Sequence, residues 1–568
     1  MREYSACVGG LPVRNLQTRR TIAIAIAHAA THPTFMTQYL TLSGGPPPIA
    51  PNPCSPNVTN EPQFHIYNMA IGPHDPNAIF KHRGVWHAFH QANWTDWAHL
   101  TSDDLVRWTR QPSALFPNGD WDGSLTMLDG EPLILYDCYN VPDCKPLNAS
   151  DGPPAGAPPP VGAPLDPPLV GVARPANASD PLLIDWVKDS RNPIAITSAT
   201  GTPITRGFAG PSNLWRTKDG AAQMLMQLGG AIGRFESTDP QLHNWSVADA
   251  AFFPTGGRSG SGSESVAFFP LRPKPPPGGP THLLGGLWPA GAARYSVGTA
   301  WYYLVSYDEA NRTLVNASAA RAQPLDASAL VNWPITHEAD DGSGRLLHLG
   351  WFNVQPAQGC LTVPRSVTYD AQTGKLLSLP VAEMAALRGE TLGSRTAAAA
   401  LAPAASLGLF SPGKSITTFD LEAEIELPAD AASQLRLSLL ASAPSVAAVL
   451  IDVNASAPFA TSGGGGGGRF RNVTMSAAVP HATSAAFNTS GITFLLPAAE
   501  PLAFRALADR VLVEVFVGGG RGVVSSAVLA PGSDPTLAAA FVTNTGAAPL
   551  TLVSSAAWAM GCGWARYP

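Results

Sequence analysis

Charge is what this 568-residue chain has least of: Asp, Glu, Lys and Arg together make up 13% of it, about half the usual share for a soluble domain. That scarcity excludes long charged helices as the main building material. There is no basic excess either. Lys and Arg number 35 against 41 Asp and Glu, leaving a net charge of −6, so nucleic acid and anionic lipid find no basic face. No stretch supplies the roughly 18 consecutive apolar residues of a membrane span, because the alanine-rich segment 397–409 is short and broken by Pro403. Cysteine is also sparse. Cys7, Cys54, Cys138, Cys144, Cys360 and Cys562 form no metal motif; Cys138 and Cys144 can close a small disulfide loop, with free buried thiols as the alternative. Acidic residues are almost missing from the first 60 positions, where Glu3 stands alone.

What the chain has in quantity is glycine (54) and proline (55), with 45% hydrophobic residues. This combination favours many short strands joined by tight turns, and the length allows two or three domains. The expectation is an all-β protein. Residues 1–60 read as a targeting segment and disordered tether. Arg14, Arg19 and Arg20 precede the apolar run Thr21 to Ala27 and then His28-Ala29-Ala30, the order of a charged region, an apolar region and a small-residue cleavage site. That pattern begins unusually far in, so an organelle transit peptide is the alternative. Pro46-Pro47-Pro48, Pro51, Pro53 and Pro56 then read as extended chain. Asn-x-Ser/Thr sequons at Asn57, Asn93, Asn148, Asn177, Asn244, Asn311, Asn316, Asn454, Asn472 and Asn488 fit a glycoprotein that is secreted, held in the cell wall or sent to a vacuole.

From about residue 61 a pattern repeats: Ser102-Asp103-Asp104-Leu105-Val106-Arg107-Trp108, then Ser179 to Trp186, then Ser237 to Trp245. Each copy is a tight turn ending in a Trp-bearing strand, and each follows apolar strand candidates such as Pro132 to Tyr136 or Ala222 to Leu228. Strand clusters recurring every few tens of residues are the signature of a radial array, so residues 61–378 are expected to form a β-propeller. Three unrelated hairpins in a sandwich are the plain alternative. The Pro/Ala/Gly-rich stretch 145–168 reads as a solvated loop insertion, and 273–281 looks the same. Residues 379–400 read as a short helical linker around Val381 to Arg388. Beyond it, Phe419 to Leu427 and Val511 to Val517 alternate with period two, which makes 401–568 a β-sandwich; Gly463 to Gly468 would be a hairpin tip.

Two carboxylates stand out. Asp75 lies in Gly72-Pro73-His74-Asp75-Pro76-Asn77-Ala78; Pro76 disfavours helix at Asp75, so the carboxylate rides on extended chain beside a turn. Alone, an Asp-Pro-Asn is more often a surface turn. Glu264 sits among small residues directly before Val266-Ala267-Phe268-Phe269-Pro270, and alone it reads as a strand-edge carboxylate. In a propeller the first strand of each blade lines the central channel, where the two can converge.

These residues carry a resemblance. Gly72 to Ala78 is similar to the Trp-Met-Asn-Asp-Pro-Asn-Gly of glycoside hydrolase family 32, the invertases and fructan hydrolases. Phe89-His90-Gln91 resembles its Phe-Tyr-Gln, Trp97-Ala98-His99 with Ser102 to Trp108 its Trp-Gly-His and Ser-x-Asp-Leu-x-x-Trp, and Glu264 to Pro270 its Glu-Cys-Pro-Asp-Phe-Phe-Pro. Leu349-Gly350-Trp351, Val363-Pro364-Arg365, Gly374 to Leu377, Ala386-Leu387-Arg388 and Val513-Glu514-Val515-Phe516 with Gly519-Gly520-Arg521 follow in the family's order. The resemblance, over roughly residues 63–560, implies a five-bladed β-propeller followed by a β-sandwich. It also implies a retaining hydrolase of terminal β-D-fructofuranosides, sucrose or fructan, with Asp75 as nucleophile and Glu264 as acid/base. That chemistry calls for no metal or organic cofactor. His74, Gln91, Trp121, Asp122 and Trp351 fall at sugar-contacting positions, buried core aromatics being the alternative for the tryptophans.

The chain departs from the family where a third carboxylate, in Arg-Asp-Pro, holds the fructose hydroxyls. Here the stretch is Phe208-Ala209-Gly210-Pro211. His74 replaces an Asn, Ala78 a Gly, and Trp121-Asp122-Gly123-Ser124 stands for an aromatic residue and Ser-Gly-Ser. Asp122 is thus a candidate replacement for the missing carboxylate, against the plain reading of a loop residue turned outward; Arg206, three residues upstream of Ala209, is a weaker one. A catalytically impaired sugar-binding relative and a glycosidase for another furanoside are the competing functions.

Overall fold

The repeated turn seen in sequence is built the same way each time. The Asp104 carboxylate accepts hydrogen bonds from the Val106 and Arg107 N–H groups, Asp180 from Leu182 and Ile184, and Asp239 from Gln241 and His243. The leucine three residues before each Trp (Leu105, Leu183, Leu242) is buried with φ of 69°, 47° and 62°. A left-handed leucine costs on the order of 1–2 kcal/mol, and burying its side chain contributes a comparable gain. Asp308 makes a fourth turn of this kind, accepting from Ala310 and Asn311; it lacks the following Trp and was not legible as a copy.

The computed structural model describes residues 54, 61–67, 73–92, 96–115, 122–138, 144, 169–205, 208–254, 266–286, 300–315, 317–328, 330–352, 359–410, 417–460, 468–480, 489–528 and 539–566. Glu264, Trp121 and Arg206, the stretch 145–168 and the tether apart from Cys54 lie outside them. The turns join strands into a five-bladed β-propeller. Blade I has Pro76–His82, Val85–Ala92, Asp96–Ser102 and Trp108–Leu115 in spatial order, with Trp564–Arg566 added in parallel from the far end of the chain. Blade II has Gly123–Leu128, Glu131–Cys138, Leu169–Pro175 and Trp186–Lys188. Blade III begins with the short inner piece Phe208–Ala209, continues with Ala222–Leu228, Ala231–Ser237 and Asn244–Pro254, and takes Ala195–Thr197 at its outer edge. Blade IV has Ala267–Pro270, His282–Gly285, Trp301–Asp308 and Thr313–Val315; blade V has Val331–Glu338, Leu346–Phe352, Arg365–Asp370 and Lys375–Pro380.

One hydrogen bond or more closes each joint of the ring. Lys81 N–H donates to Ala339 O (2.7 Å) between blades I and V, and Gln91 Nε2 to Asp122 Oδ1 (2.5 Å) between I and II. Ser124 Oγ donates to Ser212 O (2.6 Å) between II and III, and Asn213 Nδ2 to Phe268 O (2.7 Å) between III and IV. Tyr369 N–H donates to Arg272 O (2.7 Å) between IV and V. At mid-depth the hub is filled. His337 of blade V is hydrogen-bonded to Leu125 O of blade II, and its ring lies 6.1 Å from Phe80 of blade I and 5.7 Å from Phe269 of blade IV.

After a 3₁₀ turn at Ala382–Leu387 the chain enters the sandwich with Arg388–Arg395. Its two seven-stranded sheets run Arg388–Arg395, Leu550–Met560, Thr418–Glu426, Leu502–Asp509, Leu512–Val517, Gly522–Ala527 and Ser406–Phe410, Ala539–Asn544, Ser433–Ala443, Val446–Ala455, Arg469–Ala478, with Thr489–Pro497 paired to the last of these and short strands at the margins. Disulfides join Cys138 to Cys144 and Cys54 to Cys562; Cys360 is a buried thiol whose pKa burial raises.

Propeller and sandwich meet over a fully buried charge cluster. Arg365 of blade V donates from Nη1 to Asp326 Oδ2 (2.8 Å) and from Nη2 to Glu514 Oε2 (2.7 Å) and Ser525 Oγ (2.7 Å). His65 places Nδ1 2.8 Å from Asp509 Oδ2 and Nε2 2.9 Å from Glu514 Oε1. With a carboxylate at each ring nitrogen the imidazole must carry both protons: burial works against the charge, but Asp509 and Glu514 outweigh it and hold the pKa up at about 9. Six other histidines are pushed the opposite way by burial, to about 3 at His74, His87 and His348, about 4 at His90 and His282, and well down at His99.

The signs set a pH dependence. A raised His65 contributes stability in full below about pH 6.5 and loses it as pH rises through about 9; the six depressed histidines contribute above 6.5 and lose it as pH falls toward their folded values. The melting temperature should therefore peak near pH 6.5–7 and fall on both sides. His65→Gln should lower the peak and flatten the alkaline fall while leaving the acid limb. Thermal melts from pH 4 to 9.5 check this, and an unchanged alkaline limb would refute it.

Candidate functional site

The inner strands of the five blades begin at one mouth of the hub, so a residue just before an inner strand stands on that rim. Asp75 immediately precedes Pro76–His82, and Asp122 immediately precedes Gly123–Leu128. Glu264 stands three residues before Ala267–Pro270 in sequence and lies outside the described residues, as does Trp121. Ala209 ends the inner piece of blade III, and Gly210 follows it. Gln91 and Trp351 come to the same rim at the ends of second strands. The residues on this rim border the mouth of the hub, the bowl, with His337 reaching from blade V to Leu125 O of blade II.

The local geometry starts from Asp75. Its carbonyl accepts from Gln91 N–H (2.9 Å), while His74 N–H donates to Gln91 O (2.9 Å). The register then slips between Pro76 and Ala78, leaving Asn77 as a bulge; bulges of this kind re-aim side chains next to functional sites. Asp75 is buried to 8% exposure. His74 stacks flat on Trp351, ring centres 5.2 Å apart and planes 4° from parallel. One face of Trp351 is thus taken by His74. Burial and then the nearby His90 hold His74 down at about 3, so it is neutral at any ordinary working pH.

Asp122 points inward: it is buried and accepts from Gln91 Nε2 at 2.5 Å, while its carbonyl accepts from Asp137 N–H at 2.8 Å. The loop residue turned to solvent is not what the structure contains. Yet Asp122 is not the group beside Gly210. Asp137 is: its Oδ2 accepts from the Gly210 N–H at 2.9 Å. Asp137 escaped the sequence reading because it closes the apolar strand Glu131–Cys138 one residue past Tyr136. A carboxylate ending an otherwise apolar run was the available signal.

Fold and rim together define a class: a five-bladed propeller with Asp75 and Asp122 at the heads of neighbouring inner strands, followed by a sandwich. The comparisons specify it further. The model of the Glycosyl hydrolases family 32 N-terminal domain matches residues 71–147, and that of the family 32 C-terminal domain matches 383–559. An acid beta-fructofuranosidase of Solanum lycopersicum is 27% identical over 374 residues, 57% of this chain and 52% of that protein. A beta-fructofuranosidase, insoluble isoenzyme, of Arabidopsis thaliana is 25% identical over 88% of this chain and 89% of its own length. The first match thus spans about half the length of its relative, the second nearly all. Fructan 1-exohydrolase IIa of Cichorium intybus, of which a variant has been solved with 1-kestose, superposes with a TM-score of 0.68 at 20% identity over 89% of this chain and 98% of that one. The chain belongs to glycosyl hydrolase family 32.

The 2.5 Å contact between Gln91 and Asp122 gives a direct test of the rim's packing. Gln91→Glu sets a second buried carboxylate against Asp122, and one of the pair must then take a proton. The variant's deficit in melting temperature should be small near pH 4.5 and grow as pH rises toward 8. A deficit independent of pH would mean that the two side chains do not meet.

Proposed function

We propose that this chain is a retaining glycoside hydrolase acting on terminal β-D-fructofuranosides, sucrose or fructan, by double displacement. The observation that carries the reading is Asp75, buried at the head of the blade I inner strand in a family 32 fold. Asp75 attacks the anomeric carbon, and the bond to the leaving oxygen breaks as Glu264 donates its proton. The covalent fructosyl–Asp75 ester then falls to water deprotonated by Glu264. Such pairs stand about 5–5.5 Å apart, and the general acid must be protonated when substrate arrives. His74 and Trp351 would wall one side of the bowl as a stacked pair, and Gln91 and Asp122 would present polar groups to the sugar.

A catalytically impaired sugar-binding protein is the second reading, favoured by one observation: residues 209 and 210 are Ala and Gly, where family members carry Arg and Asp. A different furanoside as substrate is favoured by a buried Asp122 at the head of the blade II inner strand, where the family has an uncharged residue. Secretion, or residence in the cell wall, fits a relative named as an insoluble isoenzyme. It also suits the sequons, since the five described sequon asparagines, Asn177, Asn244, Asn311, Asn454 and Asn472, are all exposed.

The test is fructose release from sucrose and from 1-kestose. Wild type should release fructose from at least one, and Asp75→Asn and Glu264→Gln should each lower kcat by at least about 10³-fold. A wild type no faster than these variants would leave the sugar-binding reading. On the same substrate Asp122→Ala should reduce kcat/KM about tenfold, the scale of one hydrogen bond to a charged group; unchanged kinetics would remove Asp122 from the sugar site.

A further inference from the structure

Gly210 has φ of +63°, a left-handed backbone that glycine adopts freely and an L side chain resists. The chain at this point has therefore done more than lose a carboxylate; its backbone has settled where restoring one would be strained. The Gly210 amide is turned to the neighbouring blade, where Asp137 Oδ2 receives it at 2.9 Å. Asp137 is itself buried, 3% exposed, and placed by backbone: its N–H is held by the Asp122 carbonyl, and the Asp122 side chain is held by Gln91, whose own N–H is held by the Asp75 carbonyl. One run of hydrogen bonds thus leads from the proposed nucleophile through Gln91, Asp122 and Asp137 to the amide of residue 210.

We infer that Asp137, reaching across from blade II, is the third carboxylate of the site and binds ring hydroxyls of the furanose. This inference rests on the fructosidase reading and moves the missing group to a different blade, and it displaces Asp122 from that role. Asp122 becomes the residue that positions Asp137, through its carbonyl, and contacts the sugar beside it.

The experiment compares wild type, Asp137→Asn and Asp137→Ala on a fructoside and on its monodeoxy analogues, one ring hydroxyl removed at a time. Asn keeps an oxygen for the Gly210 amide and matches Asp in shape, so it guards against a folding defect, which melting temperatures report directly. Both variants should lose at least about 100-fold in kcat/KM. Wild type should discriminate against at least one deoxy analogue by about tenfold or more, and Asp137→Asn should lose most of that discrimination, which a merely structural role would not alter. An Asp137→Asn variant with kcat/KM within about threefold of wild type, or with the wild-type discrimination intact, overturns the inference while leaving the fructosidase reading in place. A wild type that hydrolyses no fructoside overturns the reading instead. The inference is then decided by fructose-induced thermal stabilisation: a shift in wild type that is absent in Asp137→Asn supports it, and equal or absent shifts in both overturn it.

Discussion

The structure depends on how five ionisable side chains are packed where propeller meets sandwich. Arg365 and His65 carry two positive charges against three carboxylates, Asp326, Asp509 and Glu514, all with fully buried side chains. The residual negative charge is met by backbone: Gln63, Phe64 and His65 N–H groups donate to Asp509, Val363 to Glu514, and Ser328 and Ser525 to Asp326. Desolvation cancels much of the attraction in such a cluster, so it is a poor source of net stability. What it imposes is geometry, since few arrangements satisfy so many directed bonds at once. The N-terminal segment is thereby fixed to the sandwich at Asp509 and to blade V, where Leu361 N–H donates to Ile66 O at 2.9 Å. That segment precedes Asp75 in the chain, and its anchor His65 is held by Asp509, 444 residues away in sequence.

The ring carries the same logic inward. Apolar clusters span neighbouring blades, Leu135 and Val172 of blade II with Met224 and Phe235 of blade III for instance, and each joint adds a directed polar contact from a single side chain or amide: Gln91, Ser124, Asn213, Lys81 and Tyr369. A joint made this way fixes the rotation of one blade against the next, which apolar packing alone specifies poorly. Gln91 has a double part. It closes the joint between blades I and II and stands on the rim, so the contact that aligns two blades also orients two carboxylate-bearing residues of the bowl.

How much of this could be read beforehand follows from where each constraint is local. The Asp-turn-Trp copies were visible because the turn is made by the residues that spell it, Asp104 with Val106 and Arg107 for instance, and the propeller followed. Asp75 was visible because Pro76 constrains its backbone. Glu514 is different. In Val511 to Val517 it looked like the outward polar residue of an alternating strand, whereas Leu512–Val517 is buried on both faces because the outer face lies against the propeller. Period two reports which side a residue faces, not what covers that side. Asp137 was hidden for a related reason: its partner is a backbone amide 73 residues away, and an amide has no signature in sequence. The Asp308 turn was missed because it ends in no Trp.

The rim hydrogen bonds bear on what glycine at residue 210 permits. In an inner strand the side chain and the backbone amide of one residue serve different neighbours. With glycine at 210 and its φ positive, the amide is free to turn toward blade II, and an acceptor there both satisfies it and brings negative charge to the same corner of the bowl. Asp137 and Asp122 sit on the blade that supplies that acceptor, and at Asp122 the chain departs from the family's pattern. Because Gln91, Asp122, Asp137 and the 210 amide share bonds in series, the orientation of each depends on the next, and effects of substituting them in pairs should fall short of the sum of the singles. A site wired in this way tolerates relocation of a carboxylate only if the residues between move with it, which is why the departures at 122 and 210 are better understood as one change than as two.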